Sequence, residues 1–301
     1  MSTGRLVYRN EGTFVPTGLP LVILLTGFID AGRAVAAASR HILDSTSHER
    51  VWTFDNDELL DYRARRPTFT FEQTHLTEYR PPELALRLVT DELGSQFLLL
   101  TGYEPDYRWE AAAEAVVRAI EEFDVSSTSW VHAIPMPVPH TRPQAMTMSG
   151  NREDLIETYS IWKPTTEVPG TFVHLVEYML CQIGAPVSGA VLLVPHYLAD
   201  SEYPVATVGV LDAITTMAGI TFRSDALREE GREFLTDVAD QASQNDELAE
   251  LVANLEKRHD NFMAENTPPS PFVDDEGKIP SAESIGAELE RFLRTRGTTD
   301  E

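Results

Sequence analysis

Cysteine is almost missing from this 301-residue chain. Cys181 stands alone, so no disulfide can form within the chain and no cysteine cluster can hold a metal. A reducing compartment fits that usage. Cations are also scarce: 24 Lys plus Arg face 48 Asp plus Glu, a formal charge of -24. Such a field repels phosphate backbones and anionic headgroups, which argues against nucleic acid and membrane surfaces as partners. Long apolar runs are missing as well. The strongest, Leu19 to Phe28, is far too short for a membrane-spanning helix, and Met1 to Asn10 has no apolar signal core, so a cytoplasmic location is expected.

Several catalytic signatures are absent. There is no GxGxxG or GK[ST] to cradle a nucleotide, and no GxSxG elbow for a hydrolase, for which Met148-Ser-Gly150 is a poor substitute. His132, His140 and His196 show no short ligand spacing such as HxxxH, so neither metal nor cofactor is expected. Cys181 sits in an apolar periodic stretch and reads as a small buried hydrophobe.

What is present is a core-forming pattern, with 42% hydrophobic residues. Leu21-Val-Ile-Leu-Leu25 within residues 19 to 25, Phe97-Leu-Leu-Leu100 and Gly189 to Val194 are continuous apolar runs of strand length, the pattern of strands covered on both faces. Ser129 to Ile134 is a weaker strand, stopped by Pro135, Pro137 and Pro139, and another is expected around Arg50 to Phe54. Helical periodicity lies between them at Ala34 to Leu43, Trp109 to Phe123 and Thr171 to Ile183. It returns after Pro204, with Gly219 placed as a C-cap. The alternation predicts a mostly parallel sheet with helices on both faces. Residues 70 to 80 and 142 to 168 fit no single period, and no internal repeat is evident.

Past residue 220 the strands stop, and residues 221 to 301 carry 9 basic against 20 acidic side chains. Two domains are therefore expected: an α/β core over 1-220 and an acidic helical C-terminal region over 221-301, with a Pro-rich linker near 267-271. Phe234 and Val238 begin one apolar stripe, and Leu248, Leu251 and Leu255 continue another after Asn245-Asp-Glu. A last helix is expected after Ser281.

Ligands of parallel α/β sheets sit at the carboxyl ends of the strands. The residues that follow the apolar runs place Gly27, Asp30, Gly32, Glu104, Asp106, Arg108, His140, Arg142 and His196 on one edge, as a candidate cleft. Two readings of Gly27 to Gly32 stay open: an anion cradle at a helix start, or a tight turn in which Asp30 caps the helix.

Gly27-Phe-Ile-Asp-Ala-Gly32, Gly102-Tyr-Glu-Pro-Asp-Tyr-Arg-Trp109, Ile134 to Pro143, Asn151-Arg-Glu and Val194-Pro-His-Tyr-Leu198 together resemble the actinobacterial branch of the proteasome assembly chaperone family, over about residues 19 to 220. The resemblance implies a three-layer α/β/α sandwich around a mixed sheet, similar to purine nucleoside phosphorylases. It also implies a homo-oligomer, with a trimer the favoured size, and a protein partner such as proteasome subunits. The hydrophobic-Tyr-X tail that relatives use for docking does not occur in Arg296 to Glu301, so contact is expected through the helical appendage or the loop edge. The leading expectation is a non-enzymatic protein-binding scaffold. The alternative is a hydrolase or nucleoside-phosphorylase-like enzyme, with His140 or His196 as acid or base, Arg142 as anion anchor and Asp30 as orienting carboxylate.

Overall fold

The computed structural model describes residues 6–161 and 165–266. In chain order the strands are β1 (Val7–Arg9), β2 (Leu21–Thr26), β3 (Ser47–Phe54), β4 (Thr68–Glu72), β5 (His75–Arg80), β6 (Ala85–Thr90), β7 (Gln96–Tyr103), β8 (Thr128–Met136), β9 (Met146–Gly150) and β10 (Val187–Pro195). The helices are α1 (Ala34–Ser45), α2 (Asn56–Leu59), α3 (Trp109–Glu122), α4 (Glu153–Tyr159), α5 (Phe172–Ile183), α6 (Pro204–Ala218), α7 (Asp225–Ser243) and α8 (Asp246–Asn266). The linker at 267-271, the helix after Ser281 and Arg296 to Glu301 lie outside the described residues.

The continuous apolar runs become central strands because each of their side chains has a layer to enter. Along β2, Val22 and Leu24 join α1 and α6 in one core, while Leu21, Ile23 and Leu25 join α3 and α5 in the other. All five are at most 5% exposed. At about 2 kcal/mol for each buried aliphatic side chain, β2 alone contributes on the order of 10 kcal/mol before chain entropy is counted. The architecture is therefore a three-layer α/β/α sandwich.

Eight strands form one mixed sheet in the order β1-β3-β6-β7-β2-β8-β10-β9. The three central ladders, β7 with β2, β2 with β8 and β8 with β10, are parallel. The four flanking ladders are antiparallel. The parallel character expected from the alternation is thus confined to the middle of the sheet. Antiparallel β9 falls in the stretch 142 to 168 that fits no single period, β6 is a strand the apolar runs did not include, and β4 with β5 forms a separate hairpin largely over the other such stretch, 70 to 80.

Helix ends follow local chemistry. Thr171 and His174 form a reciprocal capping box at the start of α5, and Gly184 ends that helix in the left-handed region. Pro204 opens α6 and Gly219 closes it, as the spacing predicts. The chain divides into two units, Met1–Val252 and Ala253–Glu301. Within the first, Leu227, Phe234, Leu235 and Val238 of α7 pack into the core that holds α1 and α6. The described part of the second unit is the C-terminal portion of α8.

Candidate functional site

Because β2, β7, β8 and β10 run parallel, the loops that follow them emerge on one edge of the sheet. The loops after β2 and β7 share a plan. Each begins Thr-Gly and reaches an arginine after five further residues: Thr26-Gly27 to Arg33, and Thr101-Gly102 to Arg108. The backbone repeats too, with φ of 140° and 138° at the glycines and of 51° and 56° at the arginines. At Gly102 the glycine is obligatory, since a Cβ would lie 2.0 Å from the Glu83 carbonyl oxygen. This doubled loop is a short internal repeat that hydrophobic pattern does not reveal, although the Thr-Gly-x5-Arg spacing was there to find.

The two loops launch their helices to opposite faces, α1 into one core and α3 into the other. Such a divergence between neighbouring parallel strands opens the crevice in which doubly wound folds bind ligands. Here an arginine of the chain touches both loops. Arg65, from the turn after α2, places Nη1 2.6 Å from Asp106 Oδ2. Its Nη2 lies 2.6 Å from where a Cβ on Gly27 would be. The guanidinium also stands 5.7 Å from the centre of the Tyr103 ring.

The neighbouring charges are held as firmly. Asp106 Oδ2 accepts a second bond from the Asp61 amide at 2.7 Å. Glu104 Oε1 accepts from the Phe172 amide, the first of α5, at 2.6 Å. Burial raises the Glu104 pKa against that hydrogen bond and the Arg65 charge. Arg108 is ion-paired with Glu58.

Asp30 has a different task. Its carboxylate accepts from the amides of Val35 and Ala36 at 2.9 and 3.0 Å, which fastens the first turn of α1. Burial pushes its pKa up, opposed by those two amides. Gly32 donates its amide to the Ala199 carbonyl at 2.7 Å, and a Cβ there would stand 2.9 Å from Tyr203 Cβ. These contacts are those of the reading in which Asp30 holds the start of the helix.

His140 and Tyr197 make a third group. The Tyr197 hydroxyl accepts from the His140 amide at 3.0 Å and lies 2.7 Å from His140 Nδ1. His196 adjoins it, its ring centre 5.4 Å from that of Tyr197. The Arg142 guanidinium reaches back to Thr141 at 3.4 Å. Among the described residues, no set of three or more His, Cys, Asp or Glu side chains is placed to hold a metal ion.

Sequence reasoning passed over a buried aromatic and histidine cluster beside this edge. The Trp130 and His132 rings, two residues apart on β8, are centred 5.1 Å from each other and 5.2 and 5.9 Å from His174. Trp130 Nε1 and Ser149 Oγ both donate to Glu177 Oε2, at 2.7 and 2.8 Å. Burial, with His174 adding to it, brings the His132 pKa down to about 4, so the ring is neutral at physiological pH. Alternation of Trp130 and His132 along one strand face was the available signal.

The PAC2 family model matches residues 24–242. The chain belongs to the PAC2 family. Among solved structures, a Corynebacterium glutamicum protein of unknown function is similar at 33% identity and TM-score 0.82, covering 87% of this chain and 99% of its own. A Mycobacterium tuberculosis protein of unknown function is 35% identical with TM-score 0.79, covering 86% and 90%. A proteasome-assembly chaperone homologue from Mycobacterium tuberculosis shares the fold at 20% identity and TM-score 0.70, covering 78% and 100%. No curated protein matches the chain.

The PAC2 family match takes in both copies of the Thr-Gly-x5-Arg loop from Gly27 onward, the His132 cluster and α7. Among the described residues of this PAC2 family chain, no helix is long and apolar enough to cross a membrane.

Proposed function

We propose that this PAC2 family chain is a non-enzymatic, protein-binding scaffold in proteasome-related assembly, working in the cytoplasm as a homo-oligomer, with a trimer the favoured size. The observation that carries this reading is how the loop edge is tied together: Arg65 is ion-paired with Asp106, Glu104 accepts from the Phe172 amide and Arg108 is paired with Glu58. A side chain spent on holding a loop is poorly placed to move a proton in a reaction. The same edge exposes apolar side chains, Ile29 and Tyr107, on the two matching loops. Family membership supports the proteasome connection, since relatives of this fold are named as a proteasome-assembly chaperone homologue and an archaeal proteasome activator. We assign the contact to this loop edge or to the acidic helical region over 221-301.

The test is capture on purified proteasome α-subunits from the same organism, compared with the assembled core particle. Saturable binding to free α-subunits is the expected result. Absence of binding to both, together with a thermal shift of the wild type by nucleosides or phosphate, would overturn the reading in favour of an enzyme.

A further inference from the structure

Two surfaces of the chain break the rule that soluble proteins keep large apolar side chains covered. The first is the β4–β5 hairpin. Phe71 lies opposite Leu76 across the ladder, and Phe69 is two residues from Phe71, so the three share a face. The ladder shifts between Thr68 and Thr70, with Glu78 at φ 50° on the other strand, and this brings Tyr79 onto the same face, its ring centre 5.0 Å from that of Phe69. All four side chains are between 48 and 70% exposed. Threonines occupy the opposite face, where Thr70 and Thr77 are the less exposed residues. The hairpin thus turns its apolar side outward, and an isolated two-stranded ribbon is at best marginally stable by itself.

The second surface is the outer side of α5. Its only ionisable side chains besides Tyr178 and Cys181 are His174 in the capping box and Glu177, bonded to Trp130 and Ser149. Tyr178 and Ile183 are 63 and 56% exposed, and Leu175 and Met179 are half-buried. The neighbouring α3, by contrast, carries Glu110, Glu114, Arg118, Glu121 and Glu122. A groove of about 540 Å³ lies at the end of this face, lined by Arg108, Trp109, Glu110, Ala111 and Leu175, with Arg108 already ion-paired to Glu58.

We infer that these surfaces are each other's partners in neighbouring copies of this chain, the hairpin of one copy lying on the α5 face and groove of the next. Charge supports a second copy as the occupant. Arg63 and Arg66, at the base of the hairpin, are exposed and have no ion-pair partner among the described residues, in a chain of net charge -24. Glu110, which lines the groove, and Glu167, five residues ahead of α5 in the chain, are likewise without an ion pair among the described residues. Because two different surfaces meet, the contact is head-to-tail, and it closes into a ring when the rotation between copies permits. This inference rests on the homo-oligomeric part of the proposed function.

Light scattering on the full chain at micromolar concentration tests it. Wild type is expected at an oligomeric mass. A hairpin variant (Phe71→Asp, Leu76→Asp) and a face variant (Tyr178→Asp, Ile183→Asp) are each expected at monomer mass, with circular dichroism near wild type and unfolding midpoints near those of wild type diluted until it too is monomeric. Mixed in equal amounts they form a one-to-one dimer, since one keeps its face and the other its hairpin. Glu110→Arg weakens wild-type assembly roughly tenfold, and Arg66→Glu in the same chain restores it. A monomeric wild type would sink both the oligomer and this interface. An oligomeric wild type whose hairpin variant still assembles, or a mixture that stays monomeric, would overturn the interface alone.

Discussion

The carboxyl edge of the sheet and the β4–β5 hairpin are joined through a few residues after α2, and they treat their side chains in opposite ways. At the edge nearly every charged group is bound: Asp30 to the start of α1, Glu104 to the start of α5, Asp106 to Arg65. On the hairpin four apolar side chains share one face and stand exposed. A run of polar residues after a strand reads as chemistry in a sequence, but here those residues brace two matching loops. The segment with no legible pattern carries the surface that a partner would cover.

The sharpest way to break this contrast is to damage the bracing. Gly102→Ala is expected to destabilise the protein by about 3 kcal/mol in urea unfolding, because the new methyl meets the Glu83 carbonyl at a positive φ. A loss under about 1 kcal/mol would mean that the loop yields.

The next effect depends on pH. His132 is 6% exposed and its pKa falls from 6.5 to about 4 on folding, so the unfolded chain binds a proton that the folded chain refuses. Stability should therefore fall as the pH drops through that window, by roughly 2–3 kcal/mol between about pH 7 and 4.5 from this group alone. His132→Phe should remove that component. Wild-type and variant stability curves that stay parallel over the window would contradict it.

Arg65→Ala should cost about 1–2 kcal/mol, since Asp106 would keep its burial and its amide bond but lose its counter-charge. The measurement is again the urea midpoint, and an unchanged value would show that the crevice is not braced by Arg65. Phe71→Asp should move the stability of the single chain least, within about 0.5 kcal/mol of wild type when both are unfolded at a concentration dilute enough to be monomeric, because its side chain faces water there. A large loss there would place the hairpin face inside the fold and erase the contrast.

The sequence made the centre of the sheet legible because burial on both faces forces unbroken apolar runs, as in Leu21 to Leu25 and Phe97 to Leu100. Alternation with helices made the parallel direction of the central strands legible, but not that of β6 and β9, which flank that centre in antiparallel ladders. The hairpin was hidden because its aromatic and threonine alternation is broken by the turn at Gln73 and Thr74 and by the register shift between Thr68 and Thr70. Asp30 showed its alternatives openly, and its contacts are those of the helix start. Arg65 showed nothing, because a residue far from a loop in sequence gives no sign that it will touch that loop.

The position of β2 at the middle of the sheet also sets an order of events during synthesis. Its ladders are with Leu98 to Tyr103 and with Thr128 to Trp130, so its neighbours are made some 70 to 110 residues later. On a ribosome adding about 5–20 residues per second, Leu21 to Thr26 waits roughly 5–20 seconds before its second neighbour exists. During that interval this apolar strand is a nascent segment with both edges open, exposed to the kind of stray pairing that its place in the finished sheet removes.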